Sequence, residues 1–282
     1  MATDARATRP AVAPRTIGRY ALLTFCAVVV FLPIYVAVVL AIQPAARVVD
    51  FPGVLLPKSL TLTPLRNAFR VGHLWRYLLN SAIVTIVIVG GQVVTSILAA
   101  YAFAFVRFPF KRVVFTLFLA TLMVPAEATI VANYETIQHF GWLDSYQALI
   151  VPFLATAFGT FLIRQAFLGV PRDLRDATAL DGYGHWGFLR HVAVPLARPA
   201  IAAFTVFSFL LSWNQYLWPL LVTNEDAHRT VQIGLKSLVG QNVANLNLPA
   251  AGAVIAGLPI FFLLLFFQRH LVRGLTSGAV KG

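Results

Sequence analysis

Long apolar runs alternate with short polar gaps along this chain, and six of the runs approach the ~20 residues that a helix needs to cross hydrocarbon. They predict spans at Tyr20–Ala41, Leu78–Ala104, Val113–Asn133, Ala148–Leu168, Ala200–Val222 and Ala251–Gln268. Helices satisfy their own backbone groups in lipid, so this pattern needs no partner strands. The Val/Ile-rich run from Ile83 to Val94 would read as a buried strand in a soluble domain, but its length and lack of period-2 alternation argue against a barrel. The expected fold class is an all-α integral membrane protein with six transmembrane helices.

The gap after the fourth run is the most informative polar stretch, RDLRDATALDGYGHWGFLRHVAVPLARP from Arg172 to Pro199. Pro171 opens a short helix to about Leu180, Gly182 and Gly184 permit a sharp turn, and a second helix from His185 to Val194 precedes the breakers Pro195 and Pro199. Ala177 and Ala179 keep the first helix slim, Asp173, Asp176 and Asp181 supply anionic or capping groups, and Arg172, Arg175 and Arg190 can make paired contacts. A surface helix with small and apolar anchors suits a partner's groove. Its acidic first half weakens simple attraction to anionic lipid.

Composition sharpens the membrane reading: 59% hydrophobic against 11% charged residues is too apolar for an ordinary soluble domain. The net charge of +12 is distributed through span-flanking loops with no aromatic-basic module, so topology explains it and no nucleic acid partner is expected. Arg6, Arg9, Arg15 and Arg19 precede the first span, Arg107, Lys111 and Arg112 fill the second gap, Arg164 to Arg198 surround the fourth, and Arg269, Arg273 and Lys281 follow the last. Lys and Arg are disfavoured on the translocated side, which places these regions and both termini in the cytoplasm. Glu135 and Asp144 in the third gap, and Glu225 and Asp226 in the fifth, suit the outside. The first external gap runs against the trend, with Arg47, Lys58, Arg66, Arg70 and Arg76. The first apolar run is about 22 residues long without a convincing small-residue cleavage site, so it is expected to be a retained helix. Residues 1–19 and 269–282 then read as cytoplasmic tails around a six-helix transmembrane domain over 20–268.

Soluble catalysis finds no support. There is no GxxxxGK[ST] phosphate loop, the histidines are isolated with no HExxH spacing, and no Ser-His-acid arrangement can be specified. No metal or other cofactor is expected on this chain. Cys26 stands alone within the first span, where helix or lipid packing is its expected role.

At DATALDG, Asp176 to Gly182, followed by Val192, Pro195 and Pro199, the chain resembles permease subunits of ATP-binding cassette importers, in their carbohydrate-uptake branch. The family loop reads EAAxxDG, an apolar residue nine or ten positions on, LP and a further Pro. Asp176 stands where the family has its first acidic residue, Ala177 matches the first Ala, Asp181 and Gly182 match DG, and Pro195 matches the later Pro. Thr178 departs from the second Ala, and Asp176 shortens the usual Glu. TLMVPAE (Thr121 to Glu127), FLIRQAF (Phe161 to Phe167) and SWNQYLWPLL (Ser212 to Leu221) look most like the glycerol-3-phosphate-uptake permeases of that branch.

The resemblance implies the type I importer (MetI-like) fold with a cytoplasmic coupling helix, and a docking set of Asp176, Ala177, Thr178, Asp181, Gly182, Tyr183 and Pro195. It further implies a second six-helix permease, two ATP-binding subunits that use ATP and Mg2+, an external or periplasmic substrate-binding protein, and residence in a bacterial inner membrane. The implied cargo is glycerol-3-phosphate or a glycerophosphodiester; trehalose, maltose or another oligosaccharide is the alternative. A non-transporting membrane scaffold remains a reading from a different class. Candidate pathway residues are Glu127, Asn214, Gln215 and Tyr216. Glu127 would lie about six residues, ~9 Å of helix, inside the outer end of the third span, contacting the partner permease, lining the route or snorkelling, and the adjacent Pro125 could open the helical bond pattern to provide a cavity for it. Asn214, Gln215 and Tyr216 can hydrogen-bond hydroxyls or phosphate, and Trp213 and Trp218 can stack on sugar faces or anchor among headgroups.

Overall fold

The computed structural model describes residues 14–44, 57, 59–70, 72–240 and 246–276. Among these there is no strand, and the helices follow in the order α1 (Pro14–Ala41), α2 (Thr63–Arg70), α3 (Leu74–Phe105), α4 (Lys111–Ala120), α5 (Ile130–His139), α6 (Tyr146–Ile150) and α7 (Ala157–Leu168). After them come α8 (Arg172–Leu180), α9 (His185–Phe188), α10 (Val194–Leu196), α11 (Arg198–Trp213), α12 (Leu217–Val222), α13 (Val231–Gly240) and α14 (Asn247–Thr276). Helix extends into both segments read as tails, since α1 begins at Pro14 and α14 reaches Thr276. Residues 1–13 and 277–282 lie outside the described residues.

Three helices are long and apolar enough to cross a membrane unaided, Gly18–Ala41, Leu74–Phe105 and Asn247–Gln268, and three bent pairs bring the count to as many as six when each pair is taken as one span. The third span is not one helix opened locally at Pro125 but two that meet at 94°, Lys111–Met123 and Ala126–His139. Pro125 has no N–H and holds the preceding Val124 extended, with φ −84° and ψ 117°, so the helix cannot run through. The fourth bends by 41° between Tyr146–Phe153 and Ala157–Leu168, after a 3-10 turn that contains Pro152. The fifth stops at Trp213 and resumes at Leu217. Pro219 removes the amide that would have bonded the carbonyl of Gln215, and its ring crowds that carbonyl. Pro33 and Pro259, in contrast, sit inside unbroken helices.

The expected helix ending at Pro195 is also corrected. From α9 the chain passes through a π turn, Leu189–Ala193, and carries Pro195 inside α10. The wider turn accommodates the missing proline amide. This train meets α11 at 76°, and Pro199 opens α11 instead of ending a helix.

Helix α3 organises the molecule because its buried residues enter three successive cores. At one end Leu74 and Tyr77 pack with Ala68, Trp213, Val231, Leu238, Ala251 and Ala256. Further along, Val84 and Ile88 join Ile137, Ala148, Leu149, Trp218 and Val222. At the other end Ala100 and Tyr101 meet Ile163, Phe167, Phe188, Leu189 and Phe204. Gly234 lets the Tyr77 ring lie against α13, where an added Cβ would stand 2.2 Å from Tyr77 Cδ2. Helix α1 packs chiefly on α14 and leaves Phe25 and Phe31 each 65% exposed, a surface suited to lipid. Cys26 is exposed on the same helix.

Candidate functional site

The turn after α8 is built by backbone geometry. The Tyr183 amide donates to Thr178 O at 3.1 Å and the Gly182 amide to Ala179 O at 3.1 Å, which is the paired-bond termination of a helix that ends in a left-handed residue. Gly182 occupies that position with φ +80°. Asp181 contributes its backbone to the cap, its N–H reaching Ala177 O at 3.0 Å. A Cβ on Gly182 would meet nothing within 4 Å, so a larger residue is penalised within this chain by backbone conformation and not by bulk.

Around this turn most of the docking set is exposed: Asp176, Ala177, Asp181, Gly182 and Tyr183. Leu180 is 90% and Trp186 68% exposed beside them. Thr178 is the buried member, its hydroxyl donating to Leu174 O. Pro195 lies apart, half-buried near the 76° bend. The arginines of this segment form no ion pair within the chain; among the described residues the one ion pair is Arg229–Asp226, at 2.7 Å. Arg175 instead lies over the Phe105 ring, 6.0 Å from its centroid. The segment is tied to α3 through Tyr101, whose hydroxyl is 2.8 Å from His185 Nδ1 and whose ring packs with Phe105, Phe167 and Phe188.

The pathway candidates separate into two places. Glu127 is exposed in a 3-10 turn, Ala126–Thr129, beyond the Pro125 break, which corrects its placement along a single helix. Its carbonyl accepts from the Ile130 amide, while its carboxylate makes no ion pair among the described residues. Asn214, Gln215 and Tyr216 form the break between α11 and α12. Asn214 Nδ2 donates to Leu210 O at 2.8 Å, and its Oδ1 accepts from Gln232 Nε2 at 3.2 Å. Gln215 Oε1 is buried with no partner. Lys236 Nζ stands 5.5 Å from the centroid of the Tyr216 ring. Gln232 and Lys236 lie one turn apart on α13, a helix that sequence reading missed because its only signal was a short apolar run in a gap. Trp213 and Trp218 are corrected too: both are buried, donating to Ala256 O at 3.1 Å and Ala148 O at 2.9 Å.

A polar clasp on the opposite end of the molecule from the α8 turn was not anticipated. Asp144, at φ +55°, accepts from the backbone amides of Asn224 and Glu225, the latter at 2.9 Å, and its own amide donates to Val222 O at 2.9 Å. The Glu225 amide, aided by Asn224 and the nearby His228, holds the Asp144 carboxyl below its ordinary range against the opposing effect of burial. Beside it Asn80 Nδ2 donates to Ala227 O and Arg229 O, each at 2.9 Å, while its Oδ1 accepts from the Tyr146 hydroxyl at 2.7 Å. No group of three or more potential metal ligands occurs among the described residues.

Comparison with known proteins agrees with this architecture. Residues 91–277 match the family described as "Binding-protein-dependent transport system inner membrane component". The sn-glycerol-3-phosphate transport system permease protein UgpE of Brucella abortus (strain 2308) is 35% identical over 259 residues, covering 89% of this chain and 92% of that protein. Its counterpart in Agrobacterium fabrum is 36% identical over the same length. A solved bacterial ABC transporter involved in import of the acidic polysaccharide alginate contains a chain with the same fold, with TM-score 0.80 and 22% identity over 93% of this chain and 99% of that one. The broken spans around α3, the capped turn after α8 and the near full-length similarity together show that this chain belongs to the binding-protein-dependent transport system inner membrane component family, as a permease subunit of an ABC importer and not its ATPase.

Proposed function

We propose that this chain forms half of a translocation pathway for glycerol-3-phosphate or a glycerophosphodiester in a bacterial inner membrane. The observation that carries the substrate reading is the 35% identity with glycerol-3-phosphate permeases over 89% of the chain. Lys236 beside Tyr216, Asn214 and Gln232 adds a cation and hydrogen-bonding groups suited to a phosphoester. The companions are a second six-helix permease, two ATP-binding subunits and an external substrate-binding protein. Both termini face the cytoplasm, as the Lys and Arg distribution favours.

In this reading α8 and the Gly182 turn insert into a groove of an ATP-binding subunit, with Leu180, Tyr183 and Trp186 as apolar anchors. Closure of the ATP-binding pair, which uses ATP and Mg2+, moves α8, and α9, α10 and α7 carry that movement into the spans. Asn214, Gln215 and Tyr216 line the outer part of the route, and Glu127 borders it or the companion permease. The test is uptake by the purified complex in proteoliposomes with its receptor, comparing glycerol-3-phosphate, glycerophosphocholine and trehalose. Preferential ATP-dependent uptake of either phosphoester is expected. Trehalose uptake would keep the importer mechanism and overturn the cargo.

A further inference from the structure

We infer that Gln92, on α3, is a positioning residue that couples the two halves of the broken fourth span and thereby links ATP hydrolysis to solute movement; this rests on the transport reading above. Gln92 lies ~20 Å along α3 from the Phe105 end, well within the hydrocarbon. Opposite it the fourth span is interrupted: Val151–Phe153 is a 3-10 turn, the chain is non-helical to Thr156, and α7 starts at Ala157. Such a break frees carbonyls from their helical amides, and an unpaired carbonyl away from water is strongly destabilising.

Side chains of α3 take up those carbonyls. Gln92 Nε2 donates to Phe153 O at 2.8 Å, and the Thr95 hydroxyl, with one proton to give, is 2.8 Å from Leu154 O and equally 2.8 Å from Gly91 O of its own helix. The other end of the same carboxamide accepts from Ser208 Oγ of α11 at 2.7 Å. Gly91 makes the approach possible, since a Cβ there would lie 2.5 Å from Leu154 Cδ2. One side chain thus joins three spans at the 41° bend, with both its donor and its acceptor engaged by protein.

The halves on either side of this latch have different attachments. The outer half is held at Ala148 O by Trp218 and at Tyr146 by Asn80. The inner half, α7, leads through Gly169, Val170 and Pro171 directly into α8. Movement of α8 therefore reaches the outer half of this span through the bend that Gln92 fixes. A carboxamide is required because the latch must donate to a carbonyl and accept from a hydroxyl at once. Ionised Glu keeps only the acceptor, and Met keeps the shape with neither.

The test compares the wild-type complex with Gln92→Met, Gln92→Glu and Ser208→Ala in proteoliposomes, reading solute uptake and ATP hydrolysis together with assembly. Gln92→Met is expected to assemble, to keep ATP hydrolysis, and to lower solute moved per ATP by about fivefold or more, with Ser208→Ala near twofold because the bond to Phe153 survives. An unchanged ratio in Gln92→Met, or uptake and hydrolysis falling in step, would overturn the latch and leave Gln92 a structural residue. If the Gln92 variants fail to assemble, Ser208→Ala and Thr95→Val give the same readout, and an unchanged ratio in both overturns it equally. Absence of ATP-driven uptake by the wild-type complex would instead count against the transport reading.

Discussion

The turn at Asp181–Gly182 and the clasp at Asp144 are both compact, acidic and outside the spans, yet they treat their polar and apolar groups in opposite ways. In the clasp the carboxylate, the carboxamide and the guanidinium ends are answered within the chain, Asp144 by the Asn224 and Glu225 amides, Asn80 by Tyr146 and two carbonyls, and Arg229 by Asp226 and Asn224 O, while Arg229 Nε and His228 Nδ1 are buried without a hydrogen-bond partner among the described residues. Around the turn, Asp173, Asp176 and Asp181 have no ion pair among the described residues, and Leu180 and Trp186 stand largely in the open. The backbone of the turn is satisfied, as are the Thr178 hydroxyl and the His185 ring, but the three carboxylates have no ion pair. A region finished by its own chain is suited to holding the span ends it joins in register. A region with a rigid backbone and unanswered side chains is suited to being completed by another subunit.

That contrast breaks most readily at Gly182. Gly182→Val places a β-branched residue at φ +80°, at about 1–2 kcal/mol of backbone strain. Loss of co-purifying ATP-binding subunits and roughly a tenfold fall in uptake are expected. Gly182→Asn should retain more of both, because Asn tolerates the left-handed region. Normal assembly and uptake in the Val variant would show that the turn is not a docking element.

The clasp should respond through stability. Asp144→Asn exchanges a charge-assisted acceptor for a neutral one and is expected to lower the Tm of the complex by about 2–4 °C at neutral pH, with ATPase docking intact. Because the folded carboxyl is held below its ordinary value, its contribution is present above about pH 3.9 and is lost as pH falls through the depressed value. The gap in Tm between wild type and variant should therefore narrow on acidification below about pH 4. A gap that widens there would contradict the clasp.

A smaller effect is expected at Lys236. Lys236→Gln should raise the half-saturating concentration for phosphoester uptake by about two- to fivefold, as suits a partly exposed charge, and leave the ATPase rate unchanged. Equal values in the two proteins would remove Lys236 from substrate recognition. The smallest change sharpens the docking side: Thr178→Ala loses a buried hydroxyl bond but gains helix propensity and restores the family's residue, so stability should move by less than about 0.5 kcal/mol. Uptake by that variant should match wild type.

Legibility in the sequence followed the distance over which each feature is built. The α8 helix and its Gly182 turn were readable because Pro171, the alanines and Gly182 act on their own neighbours. The apolar runs gave the number and order of the membrane crossings for the same reason. The breaks at Pro125, Pro152 and Pro219 carried a visible signal, but Pro33 and Pro259 carry the same one inside continuous helices. Whether a proline breaks a span depends on what neighbouring helices offer to the freed carbonyls.

The clasp and the latch lay beyond local reading. Asn80 meets residues 147 and 149 positions away, and Gln92 meets Phe153 and Ser208 at separations of 61 and 116. Their residue types are ordinary, so only the packing of α3 against α7 and α11 gives them a role. Trp213 and Trp218 teach the same lesson, since amphipathic rings suited to a headgroup belt found buried carbonyls instead. Hydropathy and turn chemistry alone thus determined that this is a multi-span helical membrane protein with an exposed, glycine-capped turn, because transfer to lipid and backbone conformation are properties of contiguous residues. The tertiary structure alone decided where the spans bend and which polar groups hold them there, because a carbonyl freed by a break is satisfied only by whatever side chain another helix brings to it.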